Sequence, residues 1–287
     1  MDIIAEVGST WRLPSWEDSR QLAIRAVHEA ADAGATIVKV QIFRAVSLYS
    51  QARAPELYAR AKEYELPLDW LPELRVNAKK AGVRLWASIF AVDLIEPALP
   101  YLDGLKVASG DFTNRELTIA MAKAAERARI SLAFSTGAAT AEEVTQTVHN
   151  HLFYAFPKDL ILMHCVSSYP ARNDEMNLRA LTRYNKPDWY WINRWGLSDH
   201  TEDELAAQLA LALGYTVFEK HFMPTGADMT NPDAVVALSP ARFNKYVESL
   251  RYAEAILGTG KKEVQESEAS ERIWARRGKD GLRPAND

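Results

Sequence analysis

Cysteine is nearly absent from this sequence, with Cys165 alone among 287 residues. That rules out a disulfide framework and a Cys-rich zinc site. No apolar run approaches the roughly 20 residues that span a bilayer. The first residues, Met-Asp-Ile-Ile-Ala-Glu-Val-Gly, carry neither a basic leader nor a cleavage site. The expectation is a soluble cytoplasmic protein. An excess of positive charge is missing too: 34 Lys and Arg stand against 38 Asp and Glu. The resulting net charge of −4 argues against a general nucleic-acid surface, while leaving room for a local basic pocket. The first turn, Gly8-Ser9-Thr10-Trp11-Arg12-Leu13, lacks the Gly-x-Gly-x-x-Gly spacing of a dinucleotide-binding fold. Solenoid periods and low-complexity stretches are also lacking.

What is present is alternation. β-rich runs at Ile3–Gly8, Thr36–Phe43, Arg84–Phe90, Leu105–Gly110, Leu132–Gly137, Leu160–Val166, Tyr190–Leu197 and Thr216–Phe222 are separated by helical patterns. Ser15 with Asp18, Thr140 with Glu143, and Thr201 with Glu204 have the spacing of helix N-termini, and Gly214 is placed to end the helix that follows Thr201. A long helical connection is expected over Ala54–Ala81, a shorter one near Asp93–Tyr101, and a last helix over Pro240–Leu257. Eight such units predict a single-domain (β/α)8 TIM barrel over residues 1–258, with a solvated polar tail over 259–287.

A barrel of this kind carries its active site at the C-terminal strand ends. The polar residues there are Glu6, Lys39, Gln41, Ser88, Lys106, Ser109, Asp111, Ser135, Thr136, Ser167, Tyr169, Ser198, His200, Glu219 and His221. Nearly every strand contributes, which packing alone does not require. His200 and His221 end consecutive strands of one parallel crossover, so their imidazoles can share a divalent metal, with Glu6 or Asp228 as a third ligand. Lys39 and Lys106 lie in apolar runs, and an inward-facing lysine needs an anionic partner. That partner is either a carboxylate, Glu6 or Glu219, or a bound phosphate or carboxylate held with the serine hydroxyls. A Schiff-base lysine is a further reading. His28, His149 and His151 fall on helical patterns, and His164 and Cys165 read as core. Of the eight tryptophans most read as packing, with Trp11 and Trp195 placed to line a substrate.

Seven motifs in order resemble the sialic acid synthases, which condense phosphoenolpyruvate with an N-acetylated sugar. They are Ile-Ile-Ala-Glu-Val-Gly (3–8), Val-Lys-Val-Gln (38–41), Lys-Val-Ala-Ser-Gly-Asp (106–111), Phe-Ser-Thr-Gly (134–137), His-Cys-Val-Ser-Ser-Tyr-Pro (164–170), Gly-Leu-Ser-Asp-His-Thr (196–201) and Glu-Lys-His-Phe (219–222). The resemblance runs from Ile3 to about Arg277. It implies Mn²⁺ on His200 and His221, and phosphoenolpyruvate held by Lys39, Lys106, Ser88, Ser109, Ser135, Ser167 and Ser198. It also implies that Glu6, Gln41, Asp111, Tyr169 and Asp228 face the acceptor sugar. Glu6 is the candidate for proton transfer or for activating water. A homodimer is implied as well.

Three departures bear on the acceptor. Thr10-Trp11-Arg12-Leu13 stands where the family has Asn-His-x-Gly, so the usual N-acetylmannosamine is not the expected acceptor. Gly226-Ala227-Asp228-Met229 stands for Gly-Pro-Asp-His. The sequence stops soon after Ala275-Arg276-Arg277, where the resemblance places the start of an antifreeze-like cap that contributes an arginine. Arg12 or a separate capping protein is then expected to replace that cation. The alternatives to a metal-dependent synthase are a lysine aldolase on the same barrel and a non-catalytic binding protein derived from one.

Overall fold

The computed structural model describes residues 1–284 apart from 152–154, 156 and 185–191. The chain divides into two compact units, Met1–Ala253 and Glu254–Asp287. In the first, β1 (Asp2–Glu6), β2 (Ile37–Ile42), β3 (Arg84–Ile89), β4 (Gly104–Val107), β5 (Ser131–Ser135), β6 (Asp159–Cys165), β7 (Arg194–Asp199) and β8 (Val217–His221) pair in chain order and close into a parallel barrel. The eightfold alternation read from the sequence is therefore a (β/α)8 barrel. Part of the run expected to form the seventh strand, Tyr190 and Trp191, lies outside the described residues.

The helices are α1 (Trp16–Asp32), α2 (Ala45–Leu48), α3 (Pro55–Glu63), α4 (Leu71–Ala81), α5 (Ile95–Ala98), α6 (Arg115–Ala128), α7 (Ala141–His151), α8 (Leu205–Ala212) and α9 (Pro240–Leu257). Ser15 caps α1 through the Asp18 amide. The Thr140–Glu143 box forms as a reciprocal pair at the start of α7. The Thr201–Glu204 box does not form: α8 begins only at Leu205, whose amide donates to Asp203 Oδ1 at 3.0 Å, and the Thr201 hydroxyl turns inward to Asp199. The long helical connection expected over Ala54–Ala81 consists of α3 and α4, separated at Pro67, which lacks an amide to continue the ladder. In the second unit, the tail expected to be polar and solvated contains a short helix, α10 (Ala269–Ala275). No helix among the described residues is long and apolar enough to cross a membrane.

Strand periodicity sorts the barrel interior into layers. Ile4, Ile37, Trp86, Ala133, Ile161, Met163 and Val217 form a fully buried plug. Gly104 makes room for it: a Cβ there would lie 2.2 Å from the Trp86 ring. Two residues further along, Glu6, Lys39, Ser88 and Glu219 follow Ile4, Ile37, Trp86 and Val217 on the same face, and these polar groups line the floor of the site. The outer strand faces pack against the helices in a larger apolar shell.

Below the plug, Asp2, Arg84, Arg194 and Asp159 close the opposite end. Arg194 Nη1 lies 2.5 Å from Asp2 Oδ2, Arg84 pairs with Asp2 Oδ1, and Arg194 Nε donates to Asp159 Oδ1 at 3.1 Å. Burial pushes the Asp2 carboxyl up, but hydrogen bonds from Arg194 and Arg84 outweigh it and hold the group below its ordinary range. A carboxyl with a depressed folded pKa contributes stability above its unfolded value, and that contribution is lost as pH falls through the folded one. Asp2→Asn is therefore expected to be less stable than wild type at neutral pH, with the gap closing below about pH 4. Denaturant titrations between pH 3 and 7 read this directly, and a gap that is constant with pH would refute it.

Candidate active site

Above the plug, one cavity of about 390 Å³ opens at the C-terminal strand ends. Its floor is a buried charge network. Lys39 on β2 pairs with Glu6 on β1, donates to Ser88 Oγ at 2.9 Å, and lies 3.6 Å from Glu219 Oε2. Lys106 on β4 reaches Glu219 Oε1 at 2.5 Å and Ser198 Oγ at 3.3 Å. Ser198 also donates to Glu219 Oε1 at 2.9 Å, and Glu6 Oε1 accepts the Gly8 amide at 2.7 Å. Both lysines thus have carboxylate partners, the first of the two partner types expected from the sequence. Burial pushes the Lys39 ammonium down to about 7, and the Glu219 carboxylate offsets this only in part.

The two histidines meet as the crossover requires. Their ring centroids are 5.4 Å apart, and the Tyr169 ring lies 4.2 Å from that of His200. His200 Nδ1 is 2.9 Å from the Val166 carbonyl, which can only accept, so Nδ1 carries a proton. Burial lowers the pKa of this imidazole, but the Cys165 sulfur beside Nδ1 and the Val166 carbonyl outweigh it and hold it above its ordinary value. His221 is buried, and its Nδ1 has no hydrogen-bond partner. Burial holds its pKa down at about 4, so the imidazole is neutral at neutral pH. Among the described residues no group of three or more His, Cys, Asp and Glu side chains is assembled as a metal cage. Two imidazoles opening on one polar cavity nevertheless fit a divalent ion whose remaining ligands are oxygens.

Ser109, Ser167 and Gly137 form one wall. Ser109 Oγ accepts the Gly137 amide at 3.2 Å, and a Cβ at Gly137 would lie 2.2 Å from Ser167 Oγ. Gln41 and Tyr169 also line the cavity. Asp111 lines a second cavity, of about 460 Å³, which shares Gln41, Phe90, Gly110 and Asp233 with the first. Ser135, expected to face substrate, is fully buried with its hydroxyl unpartnered, and it does not line the cavity.

Asp228 is the clearest correction. Its Oδ1 accepts the Thr230 amide and hydroxyl, both at 2.8 Å, in a polar turn outside the cavity. The carboxylate beside His221 is Asp233, absent from the sequence expectation. Its Oδ1 is 3.6 Å from His221 Nδ1, and its Oδ2 accepts the Ser9 amide at 2.6 Å. Gly8 is required at this contact: its φ is +53°, and a Cβ would lie 2.4 Å from Asp233 Oδ2. The signal was legible, because Asn231-Pro232-Asp233 contains the Pro-Asp pair that Gly226-Ala227-Asp228 lacks.

Arg12 and Trp11 also differ from expectation. Arg12 donates to the Glu63 carbonyl and Ser19 Oγ and stacks over Trp16 at 4.1 Å. Trp11 is buried against Trp16 and Trp70, and Trp195 packs on the apolar shell. The cation that lines the second cavity is Arg60 on α3. Cys165, read as core, is buried with its Sγ 3.7 Å from His200 Nδ1. Core His164 behaves as expected, its Nε2 bonded to the Met176 carbonyl at 2.6 Å.

The sequence model of the NeuB family matches residues 26–262. The pseudaminic acid synthase of Campylobacter jejuni is 30% identical over 272 residues, covering 90% of this chain and 76% of the relative. The N,N'-diacetyllegionaminic acid synthase of Legionella pneumophila is 30% identical over 291 residues, covering 96% and 78%. The crystal structure of the N-acetylneuraminic acid synthetase of Leptospira borgpetersenii, in complex with citrate, superposes with a TM-score of 0.80 at 29% identity. It covers 94% of this chain and 89% of that one.

Proposed function

This chain belongs to the NeuB family, and from that premise we propose that it joins phosphoenolpyruvate to an aldehyde sugar. The product is a 2-keto-3-deoxy sugar acid, and phosphate is released. The observation that carries this reading is that two imidazoles and two buried lysines share one cavity. C3 of phosphoenolpyruvate forms the new bond to the aldehyde carbon. Water adds at C2, and the C–O bond to phosphate breaks.

Lys39, Lys106, Ser88, Ser109, Ser167 and Ser198 supply donors for the phosphate and carboxylate of the first substrate. An ammonium has three N–H bonds, so Lys106, bonded to Glu219 and Ser198, keeps one to turn toward an anion. Glu6 is held by Lys39 and the Gly8 amide, placed to take or give a proton at the reacting carbons. Asp233 lies beside His221, where it orients the imidazole or takes a coordination position. His200 and His221 would hold a divalent ion, Mn²⁺ on the family relationship. When bound, it supplies Lewis-acid polarisation of the acceptor aldehyde.

The second cavity takes the rest of the acceptor. Phe43, Leu57, Phe90 and Pro232 give it apolar surface, and Arg60, Tyr64 and Asp111 give it donors and acceptors. That lining suits a bulky N-acylated sugar, in line with relatives named for diacetylated products. Arg60→Ala is expected to raise the acceptor KM about tenfold or more, with the phosphoenolpyruvate KM unchanged. Equal changes in both would remove Arg60 from the acceptor side.

The test of the whole reading is phosphate release from phosphoenolpyruvate with Mn²⁺, over a panel of aldoses and N-acylated amino sugars, with His200→Ala as control. Acceptor-dependent release that the control abolishes supports it, and release without any acceptor contradicts it. One observation favours a second reading: with its pKa near 7, Lys39 is partly a free amine at neutral pH, as a Schiff-base lysine requires. Borohydride trapping of a pyruvate adduct on Lys39 would select that aldolase chemistry.

A further inference from the structure

A second buried charge pair lies directly behind the two histidines, and no step of the proposed reaction uses it. Asp199 precedes His200 and Lys220 precedes His221, and these two residues are register partners between β7 and β8. Strand alternation turns their side chains to the outer face, away from the cavity that His200 and His221 line. Both side chains are completely buried, with Lys220 Nζ 3.1 Å from Asp199 Oδ2. Asp199 Oδ1 accepts the Thr201 amide at 2.9 Å and the Thr201 hydroxyl at 2.7 Å. The Lys220 ammonium donates to the Thr201 carbonyl and lies 5.5 Å from the centre of the Tyr246 ring on α9.

An apolar pair could fill this space without the desolvation cost that buried charges carry. It could not bond the backbone. The carboxylate fixes the turn on the C-terminal side of His200, and the ammonium joins that turn to the residue beside His221. The pair therefore ties together the two backbone positions from which the imidazoles project.

We propose that Asp199 and Lys220 are positioning residues that hold His200 and His221 at the separation needed to share a divalent ion, touching neither ion nor substrate. This rests on the reading of the two histidines as a metal site. Shell contacts of this kind typically change metal affinity by about 10–100-fold.

The experiment compares wild type, Lys220→Met, Asp199→Asn and the double variant Asp199→Leu/Lys220→Met. Mn²⁺ affinity is read by electron paramagnetic resonance titration, unfolding by denaturant, and the His200 Nδ1 proton by NMR of the metal-free protein. Mn²⁺ affinity is expected to fall about tenfold or more in Lys220→Met and in the double variant. In the metal-free variants the hydrogen-bonded Nδ1 proton signal should weaken or disappear. The double variant leaves no lone buried charge, so it should fold even if Lys220→Met does not. If it regains stability and also binds Mn²⁺ like wild type, the pair is only structural and the proposal fails. If wild type itself binds no Mn²⁺, the metal reading fails. The Nδ1 signal then decides the positioning role alone, and an unchanged signal in the double variant overturns it.

Discussion

His221→Ala is expected to lower turnover by about a thousandfold or more and to abolish Mn²⁺ retention while leaving the fold intact. The loss follows from the role assigned to the site: polarisation of a carbonyl by a bound ion is worth several kcal/mol, and each 1.36 kcal/mol is a factor of ten. One imidazole cannot hold the ion against water as two do. The fold should survive because His221 Nδ1 has no hydrogen-bond partner, burial disfavours its charged form, and Asp233, 3.6 Å away, keeps the Ser9 amide. Electron paramagnetic resonance titration, phosphate release and a thermal melt measure the three quantities separately. Undiminished turnover in a metal-stripped His221→Ala preparation would sink the assignment.

Glu219→Ala is expected to act on the fold as strongly as on the chemistry. Glu219 accepts from Lys106 and Ser198 and lies within 3.6 Å of Lys39. Its removal takes away the carboxylate that Lys106 pairs with and leaves Lys39 on Glu6. Stranding a buried charge costs about 3–5 kcal/mol, against a whole-protein stability of roughly 5–15 kcal/mol. Glu219→Gln keeps an acceptor for Ser198 and one lysine, so its loss should be smaller. Inorganic phosphate should restore more stability to Glu219→Ala than it adds to wild type, because an anion then enters a site with an uncompensated cation. Denaturant midpoints with and without phosphate test both statements. A Glu219→Ala protein as stable as wild type would show that water already solvates these lysines.

The positions that the sequence placed correctly share a local cause. A strand's side chains alternate with period two, so once β8 is identified, Glu219 and His221 must face one way and Lys220 the other. The Thr140–Glu143 cap and the lysines that needed anionic partners were legible for the same reason. Reach within a few residues, or the cost of burying one group, decides each of them. The errors came where a loop chooses its own path. Asp228 and Asp233 lie on one connection after β8, and only the fit of Asp233 against Gly8 and the Ser9 amide shows which carboxylate returns to the site. Arg12 looked free to serve the acceptor, yet it folds onto Trp16 and the end of α3. Thr201 had the spacing of a cap, but a buried Asp199 competed for its hydroxyl.

The sequence by itself determined the barrel, its polar rim and the pairing of His200 with His221, because each follows from periodicity along a strand and the fixed geometry of a parallel crossover. Only the tertiary structure decided that both lysines are paired, that Arg60 rather than Arg12 lines the second cavity, and that Asp199 and Lys220 meet behind the histidines. Those facts depend on the stagger between strands and on the return paths of loops. Both are set by packing between residues far apart in the chain, which no local pattern encodes.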